Sequence, residues 1–168
     1  MSKPPVISLE IVVTLSSKTL ELTETIGAVK TVLLTASVVS GCDATGTPAG
    51  LYKGGKWIKD KTNPSYGPTP WSKDPWGNPY GPYFLPLNDS KTGKYTTYGI
   101  HGTRGPLFGN FEKPPLPKSL IDIFVGDDAK YLYCSHGCVR LSNQNITTLF
   151  NLTTQPKYLG VTISIAIK

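Results

Sequence analysis

Proline and glycine set the first limit on what this chain can become. Between Gly41 and Pro86 run the steps Asn63-Pro64, Gly67-Pro68, Asp74-Pro75, Asn78-Pro79 and Gly81-Pro82. Each is a turn or loop signal. Proline has no N–H to give to a sheet ladder, so little central strand fits between Asn63 and Pro82. With 17 Gly and 15 Pro in 168 residues, few long helices can form, and a mainly β fold with long Pro/Gly-rich loops is expected.

The strands lie on either side of that region. Val6 to Thr14 (VISLEIVVT) is rich in β-branched residues, and Thr19 to Thr23 follows after a Ser-Ser-Lys turn. Lys30 to Ser40 (KTVLLTASVVS) reads as a long strand that stops at Gly41. Tyr83 to Leu87 and Tyr95 to His101 read as strands joined by the polar turn Asn88 to Lys94, and Val161 to Ile167 alternates as a closing strand. Leu120 to Val125 is ambiguous between strand and helix. Asn143 to Leu152 reads as a short helix, with Ser142 or Asn143 as its N-cap and Ile146, Leu149 and Phe150 on one face. No composition shift divides the chain, so residues 1–168 are expected to form one domain. Loop insertions are expected at about 41–86 and 102–134. A long aromatic loop in a compact domain serves either as a lid or as a surface insertion packed by its own rings.

The formal charge is +6 and the pI about 9.2. A basic surface suits an anionic partner, yet no dense Lys/Arg run and no nucleic-acid-binding motif occurs, so nucleic acid is not expected. No apolar stretch is long enough to span a bilayer. Met1-Ser2-Lys3-Pro4-Pro5 leads into an alternating segment and not into a signal-peptide apolar region, which leaves open a removed signal or another export route. The three cysteines, Cys42, Cys134 and Cys138, leave at least one thiol unpaired within the chain, which argues against a disulfide-stapled scaffold.

Cys138 stands in Ser135-His136-Gly137-Cys138-Val139-Arg140. Nucleophilic cysteine chemistry needs a thiolate, a base to make it and donors for an oxyanion. Gly137 allows a sharp bend and close approach, and the N–H groups of Gly137 and Cys138 are oxyanion candidates. Arg140 suits a bidentate grip on a substrate carboxylate. The only other histidine is His101, in Tyr98-Gly99-Ile100-His101-Gly102-Thr103 at the end of an expected strand. Other readings stay open at this level. A lone cysteine is most often an inert buried residue, and Cys134 fits that description. Cys134, His136, Cys138 and His101 also make a conceivable zinc set, but the second paired ligand group usual in structural zinc sites is missing. No metal or cofactor is therefore expected.

The run Ser135 to Leu141 followed by Asn143 resembles the signature of the L,D-transpeptidases, the YkuD-type catalytic domain. Tyr98 to Thr103 resembles the family's second signature, Gly46-Thr47-Pro48-Ala49-Gly50 its Thr-Pro-x-Gly strand entry, and Val161 to Ile165 its last strand. The resemblance runs from about Val6 to the end, in the family's order. It implies a β-sandwich with a short helix after the nucleophile. It also implies enzymes that act on peptidoglycan stem peptides through a thioester acyl-enzyme. An amine acceptor then gives a 3-3 cross-link or a D-amino-acid exchange, whereas water gives L,D-carboxypeptidase activity.

Carried over, the resemblance makes Cys138 the nucleophile, His101 the general base and the Gly102 carbonyl the group that orients the imidazole. His136 assists, Gly137 and Cys138 N–H groups form the oxyanion hole, and Arg140 holds a substrate carboxylate. Ser135 shapes the turn, and Ser135, Tyr98 and Thr103 are expected to line the substrate site. The expected partners are donor and acceptor stem peptides, carbapenems are expected to acylate the thiol, and the expected location is the periplasm or cell wall. Delivery as a secreted antibacterial toxin or a virion enzyme, and a catalytically dead wall-binding module, are the alternatives. Cys42 and Cys134 are candidates for a disulfide outside the cytoplasm, subject to geometry. Two departures from the family stand out: a His101-to-Ser135 stretch of roughly twice the usual length, and the Trp/Pro-rich insertion at 41–86. Both bear on which substrates enter.

Overall fold

The structure, a computed structural model, describes residues 5–41, 46–63, 69–75, 77–104 and 135–168. Cys42, Cys134 and the ambiguous segment Leu120 to Val125 lie outside these residues. Nine strands occur among the described residues: β1 (Ile7–Thr14), β2 (Thr19–Ile26), β3 (Val29–Ser37), β4 (Gly50–Gly54), β5 (Ile58–Lys59), β6 (Tyr83–Asp89), β7 (Tyr95–His101), β8 (Val139–Arg140) and β9 (Ile163–Ile167). One helix, α1 (Asn143–Thr153), follows β8 directly.

All nine strands belong to one hydrogen-bonded sheet in the order β3-β2-β1-β9-β4-β6-β7-β8, with β5 added on β6. The chain just past β3 then pairs with β8, the far edge. Val39 N–H donates to the Arg140 carbonyl at 2.9 Å, and Arg140 N–H donates to the Val39 carbonyl at 2.8 Å. The sheet therefore curls on itself, and its two halves face each other across a common core, as the expected sandwich requires. Leu9, Ile11 and Val13 of β1 and Leu20 and Leu22 of β2 share that core with Leu85, Leu87, Ile100, Val139 and Leu141. The period-two burial of β1 is the pattern of a strand with one buried face.

Helix α1 starts where the sequence places it. Ser142 is the N-cap, its Oγ accepting from Asn145 N–H at 3.0 Å. Ile146, Leu149 and Thr153 are buried. Phe150, expected on the same face, instead stacks on Tyr83 at 4.1 Å and meets the edge of Trp57 at 5.4 Å. Trp57 Nε1 donates to Thr153 Oγ1 at 3.1 Å, so the 41–86 insertion is fastened to the helix.

That insertion is less loop-like than its composition suggests. It contains β4, which lies between β9 and β6 in the middle of the sheet, and β5, which extends β6. The expectation of a loop from Gly41 to Pro86 is corrected to this extent. The Pro-dense part from Asn63 to Pro82 has no strand among its described residues. Pro86 does lie within β6, and the register against β7 slips there, between Pro86 and Asn88, as a missing N–H demands.

Ile100 is fully buried in the core beneath the site residues of β7. Ile100→Ala should cost about 2–5 kcal/mol of stability, measured as a lower denaturation midpoint in urea at unchanged slope.

Candidate active site

Strand alternation puts the reactive residues on one face. On β7, Ile100 belongs to the core and Tyr98 packs against it, so Gly99 and His101 face the other way. β8 pairs in parallel with β7, Ile100 opposite Val139 and His101 opposite Arg140. Val139 is fully buried, so Cys138 and Arg140 share the outer face with His101. Leu141 N–H continues the pairing by donating to the His101 carbonyl at 2.8 Å. Gly99 N–H is directed at the Cys138 sulfur.

The turn before Cys138 is held from inside and outside. Ser135 N–H donates to the Ser40 carbonyl at 2.8 Å, anchoring the turn to the chain beyond β3. Ser135 Oγ donates to the Cys138 carbonyl and accepts from Gly137 N–H at 3.1 Å. Gly137 has φ of 111°, a conformation that favours glycine. The Gly137 N–H thus faces Ser135 Oγ and can serve an oxyanion only by leaving or sharing that bond. Cys138 N–H has no hydrogen-bond partner among the described residues.

The imidazole of His101 is enclosed. Its Nδ1 lies 2.7 Å from the Gly102 carbonyl, an acceptor, which fixes Nδ1 as the protonated nitrogen in the neutral ring. The Tyr80 carbonyl is a second acceptor beside the ring. Phe84 stacks on the imidazole at 5.6 Å and Tyr80 meets it edge-on at 5.3 Å. Gly99 is required beneath this stack, since a Cβ there would sit 2.2 Å from the Phe84 ring.

Electrostatics favour an uncharged resting pair. Burial pushes the His101 pKa from 6.5 down to about 3, and the Arg140 and Lys61 charges act the same way against the two carbonyls. Burial also raises the Cys138 thiol, opposed by Gly99 N–H, Lys61 and Arg140. Burial lowers Arg140 to about 10, leaving it cationic at neutral pH. A thiol on the same sheet face as a neutral imidazole, with two cations acting on both, has the groups needed to pass its proton to the ring as it attacks a carbonyl.

The structure thus brings Cys138, His101, Gly102 and Arg140 together and places Ser135 and Gly137 in the supporting turn. His136 is exposed at the tip of that turn. Two residues expected to contact substrate make contacts within the fold. Tyr98 packs on the core side of β7. Thr103 is buried in a reciprocal clamp: its N–H donates to Asn143 Oδ1 at 2.8 Å and its carbonyl accepts from Asn143 Nδ2 at 3.1 Å. Sequence reasoning missed Lys61, Tyr80 and Phe84 around the imidazole. The only signal for them was the density of aromatics in the insertion. An open groove of about 570 Å³, lined by Lys56, Trp57, Ile58, Lys59, Pro86 and Tyr95 among others, lies on the β6–β7 part of the sheet.

A Ser-His-Gly-Cys turn thus leads into the strand paired with that of a carbonyl-anchored histidine, at the closing edge of a curled β sheet. The family model of the L,D-transpeptidase catalytic domain matches residues 8–163, and the chain belongs to that family. Among solved structures, the chain is similar to the helical cell shape determining protein Pgp2 of Campylobacter jejuni. Identity is 13% and the TM-score 0.59, covering 98% of this chain and 50% of that one. An L,D-transpeptidase of Enterococcus faecium gives 22% identity and a TM-score of 0.56, covering 94% and 49%. One from Stackebrandtia nassauensis gives 15% and 0.53, covering 100% and 57%. The chain spans about half the length of the first two structures, and the likeness shows the fold. No curated protein sequence matches it.

Because His101 is neutral when folded, the unfolded chain binds a proton there between pH 6.5 and about 3 that the folded chain does not. This contribution to stability is present above pH 6.5 and is lost as pH falls toward 3. His101→Gln should flatten that part of the stability–pH curve, read from urea midpoints at successive pH values.

Proposed function

We propose that the protein is a cysteine-dependent peptidoglycan L,D-transpeptidase. The observation that carries this reading is the His101 imidazole, fixed by the Gly102 carbonyl at 2.7 Å on the strand paired beside Cys138. Cys138 Sγ attacks the carbonyl of the third residue of a stem tetrapeptide, and His101 takes the thiol proton. The resulting imidazolium donates to the Gly102 and Tyr80 carbonyls. Cys138 N–H is the principal oxyanion donor, joined by Gly137 N–H if Ser135 Oγ releases it. The imidazolium returns its proton to the leaving D-amino acid, and a thioester remains on Cys138. An acceptor amine then takes the acyl group, forming a 3-3 cross-link or exchanging the D-amino acid. Arg140 holds a substrate carboxylate, and His136 assists from the exposed side. The groove beside Tyr95 receives peptide, and its Lys56 and Lys59 suit an anionic chain. The action is extracytoplasmic, at the cell wall, and one domain carries it.

Incubation with tetrapeptide muropeptides should give 3-3 dimers or, with added D-amino acids, exchanged stems, and Cys138→Ala should abolish both. Tripeptide as the sole product would replace transfer with hydrolysis. A folded protein that meropenem does not acylate at Cys138, and that forms no product, would leave a wall-binding module.

The resting thiol gives a separate expectation. Alkylation of the Cys138 peptide by iodoacetamide, followed by mass spectrometry, should accelerate steadily through the alkaline range. A thiolate–imidazolium pair would instead give a plateau beginning in acid.

A further inference from the structure

Lys61 lies in the insertion, where its backbone and its side chain are both held. Its carbonyl accepts from Asn78 Nδ2 at 2.7 Å. Asn78 is completely buried, and its amide also binds the Thr69 carbonyl at 3.1 Å and accepts from Tyr80 N–H at 2.9 Å. Asp60, next to Lys61, donates its N–H to the Pro82 carbonyl at 3.0 Å, and its Oδ1 accepts from Ser72 N–H at 3.2 Å. The Lys61 ammonium sits 4.2 Å from the centroids of both Tyr80 and Phe84, the rings that enclose His101. Aromatic faces can hold a cation, but they leave its hydrogen-bond donors unused. Among the described residues no carboxylate pairs with Lys61. Burial lowers its pKa, and an ionised Cys138 would raise it in turn.

We infer that Lys61 is the receptor for the α-carboxylate of the leaving D-amino acid, and so selects donors that end one residue after the scissile bond. The inference rests on the L,D-transpeptidase reading above. Its geometry follows from covalent structure. Between the attacked carbonyl carbon and the carboxylate carbon of the leaving residue stand only the amide nitrogen and one Cα, a span of roughly 4 Å. A substrate carbonyl in contact with Cys138 therefore brings that carboxylate close to Gly99, the register neighbour of Cys138, over which lies the Phe84 ring that carries the Lys61 ammonium. The carboxylate supplies an anion that no described residue gives the half-buried ammonium. A donor extended by a further residue, or amidated at its end, would place a neutral group against the ammonium and leave it unpaired. Arg140, on β8, remains for a second carboxylate of the donor. Atoms and charge balance as in the reaction above: Lys61 binds and takes no proton.

The test compares two donors, a stem tetrapeptide with a free terminal carboxylate and the same peptide as its terminal amide. The wild-type protein, Lys61→Met and Lys61→Arg are each confirmed to be folded by thermal melting. Wild type should prefer the acid by about 10- to 100-fold in kcat/KM, the range for one charged hydrogen bond. Lys61→Met should bring the acid-to-amide ratio close to one, and Lys61→Arg should restore most of it. Calorimetric binding of the two peptides to Cys138→Ala protein, with and without Lys61→Met, should show the same loss of preference without turnover. Equal slowing of both donors by Lys61→Met would overturn the inference, because it would put Lys61 at the thiol and not at the carboxylate. An unchanged ratio would overturn it too. A wild-type protein that turns over neither donor refutes the transpeptidase reading itself, so the two failures are distinct.

Discussion

The pair of backbone hydrogen bonds between Val39 and Arg140 closes the sheet, and the site depends on that closure. Without it β8 would be a two-residue strand held on one side by β7 alone, too short to fix anything. With it, the turn that carries Cys138 is gripped between β7 and the chain leaving β3. Ser135 N–H adds a third bond to that chain at the Ser40 carbonyl. Three backbone bonds thus set the height of the sulfur against the imidazole. The core residues on the inner side of the same strands, Ile100 and Val139, allow no slip, since a shift by one residue would turn them outward and bury Cys138 and Arg140.

The enclosed position has an electrostatic cost that the fold meets by local means. Burying an imidazole and a thiol disfavours charge on both. The groups nearby then divide the work. Gly99 N–H, Lys61 and Arg140 stabilise a sulfur anion, while the carbonyls of Gly102 and Tyr80 stabilise an imidazolium. The same cations that help the sulfur oppose protonation of the ring.

Much of this was legible in the sequence. Alternation in Ile7 to Val13 and Tyr95 to His101 marks strands because one face is buried, and Ser142 marks the start of α1 because it can cap. Two motifs far apart in the chain mark β7 and β8, which the sheet brings side by side. What was not legible depends on tertiary contact. β4 has a mixed burial pattern and gains its place only by pairing with β9 and β6. Tyr98 lies within a signature segment, yet alternation sends it to the core because Ile100 must go there. Thr103 looks like a polar site residue, but its backbone is claimed by Asn143, a residue 40 positions away. Lys61 carries no local signal at all.

The insertion is therefore a wall of the site and not an appendage to it. Asn78 ties together Lys61, Thr69 and Tyr80 while completely buried, and each of those bonds would be costly to leave unmade. Trp57 fastens the same insertion to α1, whose first residue, Asn143, clamps the chain just after His101. Helix α1, strand β7 and the insertion consequently form one connected set of contacts. A change in the insertion acts on the imidazole through Tyr80 and Phe84 without any shift in the strands. The face of β7 and β8 that carries His101, Cys138 and Arg140 is thus bordered by residues that reach it from a segment of prolines and aromatic rings.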